Sequence, residues 1–223
     1  ATRTQASFLP NGDPGNFILI GLAPVPGAPF ANPSVDENGN AEINTRRYQG
    51  AALQMDVALS KQGWHYPQQR LLTLWQDVAL TLNGTRAPQP LFFRANTGET
   101  IEFWHTNLVP DYYDLDDFQV RTPTDIIGQH IHLVKFDVLA SDGAGNGWNY
   151  EDGTFSPDEV RTRIDALNLK GGLHSFDPKT QFKGATQRKL TAKPAPAVFG
   201  EAPAGQDWRG AQTTIQRWDT DRS

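Results

Sequence analysis

Between Pro90 and Asn107 the chain lays out two extended segments around one turn. Leu91-Phe92-Phe93-Arg94-Ala95 leads into Asn96-Thr97-Gly98-Glu99, and Ile101-Glu102-Phe103-Trp104-His105-Thr106-Asn107 then alternates in polarity. Alternation with a period of two sends successive side chains to opposite faces, so the stretch reads as strand, turn, strand. Gly50 to Leu59 and Gln69 to Leu82 also read as strands, although short apolar runs leave the second open to a short helix. Further strands are expected at Phe17 to Leu22, Gln129 to Leu139 and Ala211 to Trp218. With 12 Phe, 6 Trp and 5 Tyr against 1 Met, the apolar residues suit pleated surfaces better than helix faces. The expected class is all-β with small helices.

One helix announces itself. Ser156 is a good N-cap, Pro157 fits the first turn, and Gly171-Gly172 supplies a stop after about Leu169. Ser141 to Thr154 reads as a loop and Phe182 to Gly210 as an irregular surface arm. The 223 residues leave room for one decorated β domain or two small ones. Residues 1–60 are expected to form a loop-rich N-terminal segment with one or two strands, and residues 61–223 the principal domain.

A formal charge of −5 and a pI near 5.5 give no basic footprint for nucleic acid or an anionic membrane surface. No run approaches the roughly 18 apolar residues of a membrane span, and Ala1 to Thr4 lack the features of a signal peptide. The chain therefore reads as soluble and already processed or excised. It has no cysteine, which excludes disulfides, thiolate zinc sites and a cysteine nucleophile. A blue-copper centre, which needs a Cys thiolate beside two His, is excluded as well.

Chemistry concentrates at His130-Ile131-His132. On a strand, His130 and His132 share a face, which Val134, Phe136 and Val138 continue as apolar packing. Two adjacent neutral imidazoles suit copper, zinc, iron or nickel. A structural or surface His pair has the same spacing, so the pair by itself does not settle the question.

Gly63-Trp64-His65-Tyr66-Pro67-Gln68-Gln69-Arg70, Leu91 to Asn96, Gly128-Gln129-His130-Ile131-His132-Leu133-Val134-Lys135-Phe136-Asp137-Val138 and Asn149 to Pro157 occur in that order. Together they resemble the large bacterial multicopper oxidases, some of which oxidise manganese. Arg94-Ala95 with Gly98-Glu99-Thr100-Ile101 is similar to the first-cupredoxin signature that precedes the family's H-W-H-G motif. The spacing from His130 to Val138 is similar to its H-x-H-x-x-x-F-x-V motif. The resemblance covers most of residues 45–218. It implies a cupredoxin-like Greek-key β-sandwich with long loops and a short helix, incomplete at its C-terminal end.

By the same resemblance, His130 would ligate the mononuclear copper of a trinuclear oxygen-reducing site and His132 one of the paired coppers. Further cupredoxin domains or chains would supply cysteine and more His ligands, in a periplasmic or extracellular setting. Two departures stand out: Ile127 occupies the place of a blue-copper His, and Leu133 the place of the usual Gly. The elements expected next are missing, so the chain would provide a half-site and not a complete oxidase. The alternative is a non-catalytic copper-binding or structural cupredoxin module.

The remaining candidates have plainer readings. His65 and His105 are expected to be structural, each with a ring nitrogen on backbone, and His174 to lie at the surface. Asp142 to Gly147 reads as a tight loop, since its third and twelfth positions do not suit calcium. Asp111, Asp114, Asp116 and Asp117 have the hard oxygen ligands that Mn(II) or Fe(II) takes, but read better as a solvated loop.

Overall fold

The computed structural model describes residues 45–111, 125–136, 141–143, 153–177, 179 and 182–220. They are mostly β-sheet, with few short helices. β1 (Thr45–Ala58), β2 (His65–Leu74), β3 (Thr100–Asn107) and β8 (Thr213–Asp219) form a four-stranded sheet in the order β2-β1-β3-β8. β4 (Ile127–Gly128) pairs with β5 (Gly153–Thr154), and β6 (Leu173–Asp177) with β7 (Phe182–Arg188). Two α-helices, α1 (Val78–Leu82) and α2 (Pro157–Leu169), and two 3-10 turns complete the set. No helix of the described residues is long and apolar enough to cross a membrane.

The main sheet is mixed. β1 and β2 form an antiparallel hairpin closed by Leu59 N–H on the Trp64 carbonyl at 2.7 Å. β3 joins β1 in parallel, with Tyr48 opposite Phe103 and Gly50 opposite His105, and β8 adds antiparallel to β3. A parallel neighbour needs a crossover connection, and α1 and its preceding 3-10 turn lie within it. Residues Gly50 to Gln54 are buried without interruption, as expected of a central strand covered on both faces. Gly50 is required by packing: a Cβ there would stand 2.9 Å from the Phe103 ring.

Each face has its own core. On one, Ala51, Leu53, Val78, Leu108, Phe199 and Trp208 are buried together, with Trp75 and Phe199 edge-to-face at 5.3 Å. On the other, Ile101, Phe103 and Trp218 gather Tyr48, Leu72, Phe93, Ile131, Val134 and Phe136. Phe93 is the hub of this second cluster, meeting Tyr48, Phe103 and Trp218 at 5.2, 4.8 and 5.3 Å. Edge contacts of this kind add roughly 0.5–1.5 kcal/mol each beyond their area.

Several expectations change. Gln69–Leu82 is strand only to Leu74 and then turns helical through α1, where Val78 and Thr81 can both face inward. Leu91 to Ala95 forms no strand, because β3 spends its pairing on β1 and β8, and Phe93 serves the core through its ring alone. Phe182 to Gly210 is not a surface arm: it contains β7 and delivers Phe199 and Trp208 to the core. The helix at Pro157–Leu169 forms as expected, with the Ser156 hydroxyl accepting from Glu159 N–H. The strand expected at Phe17 to Leu22 lies outside the described residues.

A charged pair joins β3 to β8. Glu102 is buried and accepts from Arg217 Nε at 3.3 Å, Arg47 Nε at 2.7 Å and Trp104 Nε1 at 2.7 Å. Burial pushes its carboxyl up, but the Trp104 N–H, Arg217 and Arg47 outweigh this and hold it below the ordinary value of 4.5. The stability it contributes is present above that value and lost as pH falls through the lower folded one. Glu102→Gln leaves the Arg217 charge buried and uncompensated, and the expected loss is about 3 kcal/mol. Urea unfolding at pH 7 measures it; an unchanged midpoint would show that the pair contributes nothing.

Candidate metal centre

The segment bearing His130 and His132 is tied at both ends. Upstream, β4 pairs with β5, and buried Asn107 donates from Nδ2 to the carbonyls of Asp125 at 2.7 Å and Thr154 at 3.2 Å. Gln216, from β8, donates its Nε2 to the Gln129 carbonyl at 2.9 Å. Downstream, Lys135 and Asp219 exchange backbone hydrogen bonds of 3.0 and 2.7 Å. The outer edge of β8 is thus engaged by this chain's own residues. Ser141 extends the contact, its hydroxyl accepting from Arg217 N–H at 3.0 Å and its carbonyl from Trp218 Nε1 at 3.3 Å.

Between these ties the two imidazoles lie side by side. Their ring centroids are 4.9 Å apart and their planes nearly perpendicular, and the His130 ring also meets Phe136 at 5.7 Å. His130 Nδ1 lies 2.6 Å from the Asp142 carbonyl oxygen. A carbonyl only accepts, so Nδ1 carries the proton and Nε2 keeps its lone pair in the neutral ring. A metal-ligating His is oriented in this way, through its second nitrogen. The Asp142 loop can come so close because Gly143, at φ +76°, has no Cβ; one would collide with the Gln129 carbonyl. Both His side chains are exposed.

This donor set suits copper, zinc, iron or nickel alike. Two neutral imidazoles are suitable ligands, one is already held in the ligating tautomer, and both are open to a further donor. Among the described residues no group of three or more His, Cys, Asp or Glu side chains is placed to hold a metal ion.

The backbone differs from the continuous strand expected over Gln129 to Leu139. Of its described part, only Lys135 forms a bridge. Leu133 is the reason: its φ of +65° breaks the extended path. Ile131 points inward with His130 and His132 outward; past the break, Val134 and Phe136 are the residues that pack inward. The apolar residues after the pair therefore do not simply continue its face. Leu133 is fully exposed, so it packs against nothing that would offset a left-handed conformation costing roughly 1–2 kcal/mol for a side-chain-bearing residue. Leu133→Gly should stabilise the fold by up to about 1 kcal/mol, after glycine's own entropy cost. A rise in the urea midpoint is expected; a clear fall would mean that the Leu133 conformation is not strained.

The other histidines separate by environment. His65 is exposed and pairs through Nδ1 with the Asp56 carboxylate at 2.8 Å, not with backbone. His174, on β6, is half-buried, with Nδ1 donating to the Gly184 carbonyl at 3.1 Å. His105 is buried on β3, stacked on Phe103 at 5.1 Å, and neither ring nitrogen has a partner. The backbone bond expected for it is absent because its ring projects from the face of the sheet while the backbone bonds run within it. Of the carboxylates in the acidic run only Asp111 is described, and of the Asp142 loop only Asp142 and Gly143.

Burial lowers His105 from 6.5 to about 4. An unfolded chain takes up this proton near pH 6.5 and the folded one only near pH 4, so stability is lost as pH falls through that window. The full span is worth about 3 kcal/mol. Urea midpoints measured from pH 7 to pH 4.5 should fall steadily, and His105→Gln should flatten the slope. An equal slope in both proteins would place the acid sensitivity elsewhere.

No protein-family model matches the chain, and no curated protein matches it. Sequence reasoning missed the residues that orient His130 and seat its segment, Asp142, Gly143 and Gln216. Their only signal was the Asp-Gly dipeptide, which marks a turn without saying where it docks.

Proposed function

We propose that this chain is part of a multicopper oxidase, an assembly that couples substrate oxidation to reduction of dioxygen to water. In this reading the main sheet belongs to a cupredoxin-like Greek-key β-sandwich, and the setting is periplasmic or extracellular. His130 and His132 are its contribution to the trinuclear copper site. The observation that carries the reading is the pair itself: two exposed imidazoles 4.9 Å apart, with His130 Nε2 left open by the Nδ1 bond to Asp142.

Bound copper supplies one-electron redox chemistry. The chain's own residues position it. The Asp142 carbonyl fixes the His130 tautomer, Phe136 packs beside the same ring, and Gln216 holds the Gln129 carbonyl one residue upstream. Further cupredoxin domains or chains complete the ligand set and bring the cysteine that this sequence lacks.

The test is a copper titration against a competing chelator, with far-UV circular dichroism recorded alongside. His130→Ala should weaken binding at least about tenfold, since loss of a ligand exceeds loss of a group that merely orients one. The fold should persist, because His130 lies outside the buried core. His174→Ala should bind as the parent does. Equal copper affinity in the His130→Ala protein would reject the assignment and leave a structural module.

A further inference from the structure

The second face of the main sheet changes character along β3 and β8. It is aromatic at Phe103 and Trp218, then polar at His105, Thr214 and Gln216, which are 2, 4 and 0% exposed. His105 stands directly opposite Thr214, and Gln216 opposite Phe103, so the three side chains share one face. Opposed residues there have Cβ atoms about 4.5–5.5 Å apart, and diagonal neighbours about 7–8 Å.

Four polar atoms of these neighbours are buried without any hydrogen-bond partner: His105 Nδ1 and Nε2, Thr214 Oγ1 and Gln216 Oε1. A buried polar atom left unpaired carries its whole desolvation cost, and here four share one patch. The set contains both signs. The hydroxyl and one ring nitrogen donate; the other ring nitrogen and the amide oxygen accept. A ligand answering all of them must be small and must both donate and accept. An anion would face two acceptors, and a cation would be buried without a countercharge, as none of the three side chains is acidic.

We propose that His105, Thr214 and Gln216 enclose a built-in hydration site that holds one or two water molecules. A buried water makes about three hydrogen bonds, which these atoms supply. The site also has a task. Gln216 Nε2 is already engaged on the Gln129 carbonyl, so water on Oε1 locks the amide in that orientation and sets the seat of the residue before His130. This holds whether or not copper binds.

Two measurements on the full chain test it. In a sample labelled with 15N at histidine, cross-peaks between the His105 ring or the Thr214 methyl and a long-lived water are expected. Thr214→Val, nearly isosteric, should lower the urea midpoint, because it takes a partner from the water. A dry site gives the opposite result: no water cross-peaks in the parent, and a raised midpoint in the variant once an unpaired hydroxyl is gone. Either of those would overturn the proposal. The parent spectrum decides the matter even if the variant does not fold.

Discussion

The pairing of β8 with β3 is the contact on which the rest of the described structure depends. It sets Arg217 against Glu102 and Trp218 against Phe103, and it brings the Thr100 hydroxyl within 2.6 Å of the Asp219 carboxylate. It also creates the surface on which the His pair is seated. Gln216 reaches the Gln129 carbonyl, Asp219 takes Lys135, and Arg217 and Trp218 take Ser141, one residue before the loop that orients His130. Remove β8 and, among the described residues, the segment keeps its upstream tie to β5 and Asn107 and its packing against the Ile101 and Phe103 core, but loses its downstream tie.

The sheet is unusual in placing so much polarity inside. Glu102, Arg217, His105, Asn107, Thr214 and Gln216 are all buried on β3 and β8. Fully satisfied polar groups specify a register, because a slip would leave them unpaired. Asn107 does this for the entry to the His segment, using its amide and its carbonyl oxygen on three backbone groups. Glu102 does it between the strands. The two networks lie on opposite faces, and a shift of β8 by one residue would break the one built on Glu102 and Arg217.

Much of the strand content was legible because alternation is local. Thr100–Asn107, Thr213–Asp219 and Thr45–Ala58 form close to where their patterns place them, and the capped helix at Ser156 needed only its own residues. What escaped was decided at a distance. Leu91 to Ala95 has the composition of a strand but no free partner, and Phe199 and Trp208 look like decorations of a Pro-rich arm until α1 and β1 offer a cavity. At the candidate site the pair of residues was legible, but its geometry was not. The positive φ of Leu133, which breaks the extended path, is rare for a residue that bears a side chain, and the residue type does not announce it. The Asp142 carbonyl that fixes the His130 tautomer is a backbone atom, invisible to any reading of side chains.

The separation between Glu102 and Arg217, 115 residues along the chain, bears on the order of assembly. Closing so long a loop costs entropy before any contact repays it, so such pairings form late and slowly. The hairpin of β1 and β2 can form from neighbours alone, and α2 from its own caps. The imidazole pair cannot be seated until residues 213–219 have been made and docked. An ion that met the chain earlier would find the two histidines without their orienting carbonyl or their strand beneath. The seating of the pair therefore waits on one of the long-range pairings of the described residues.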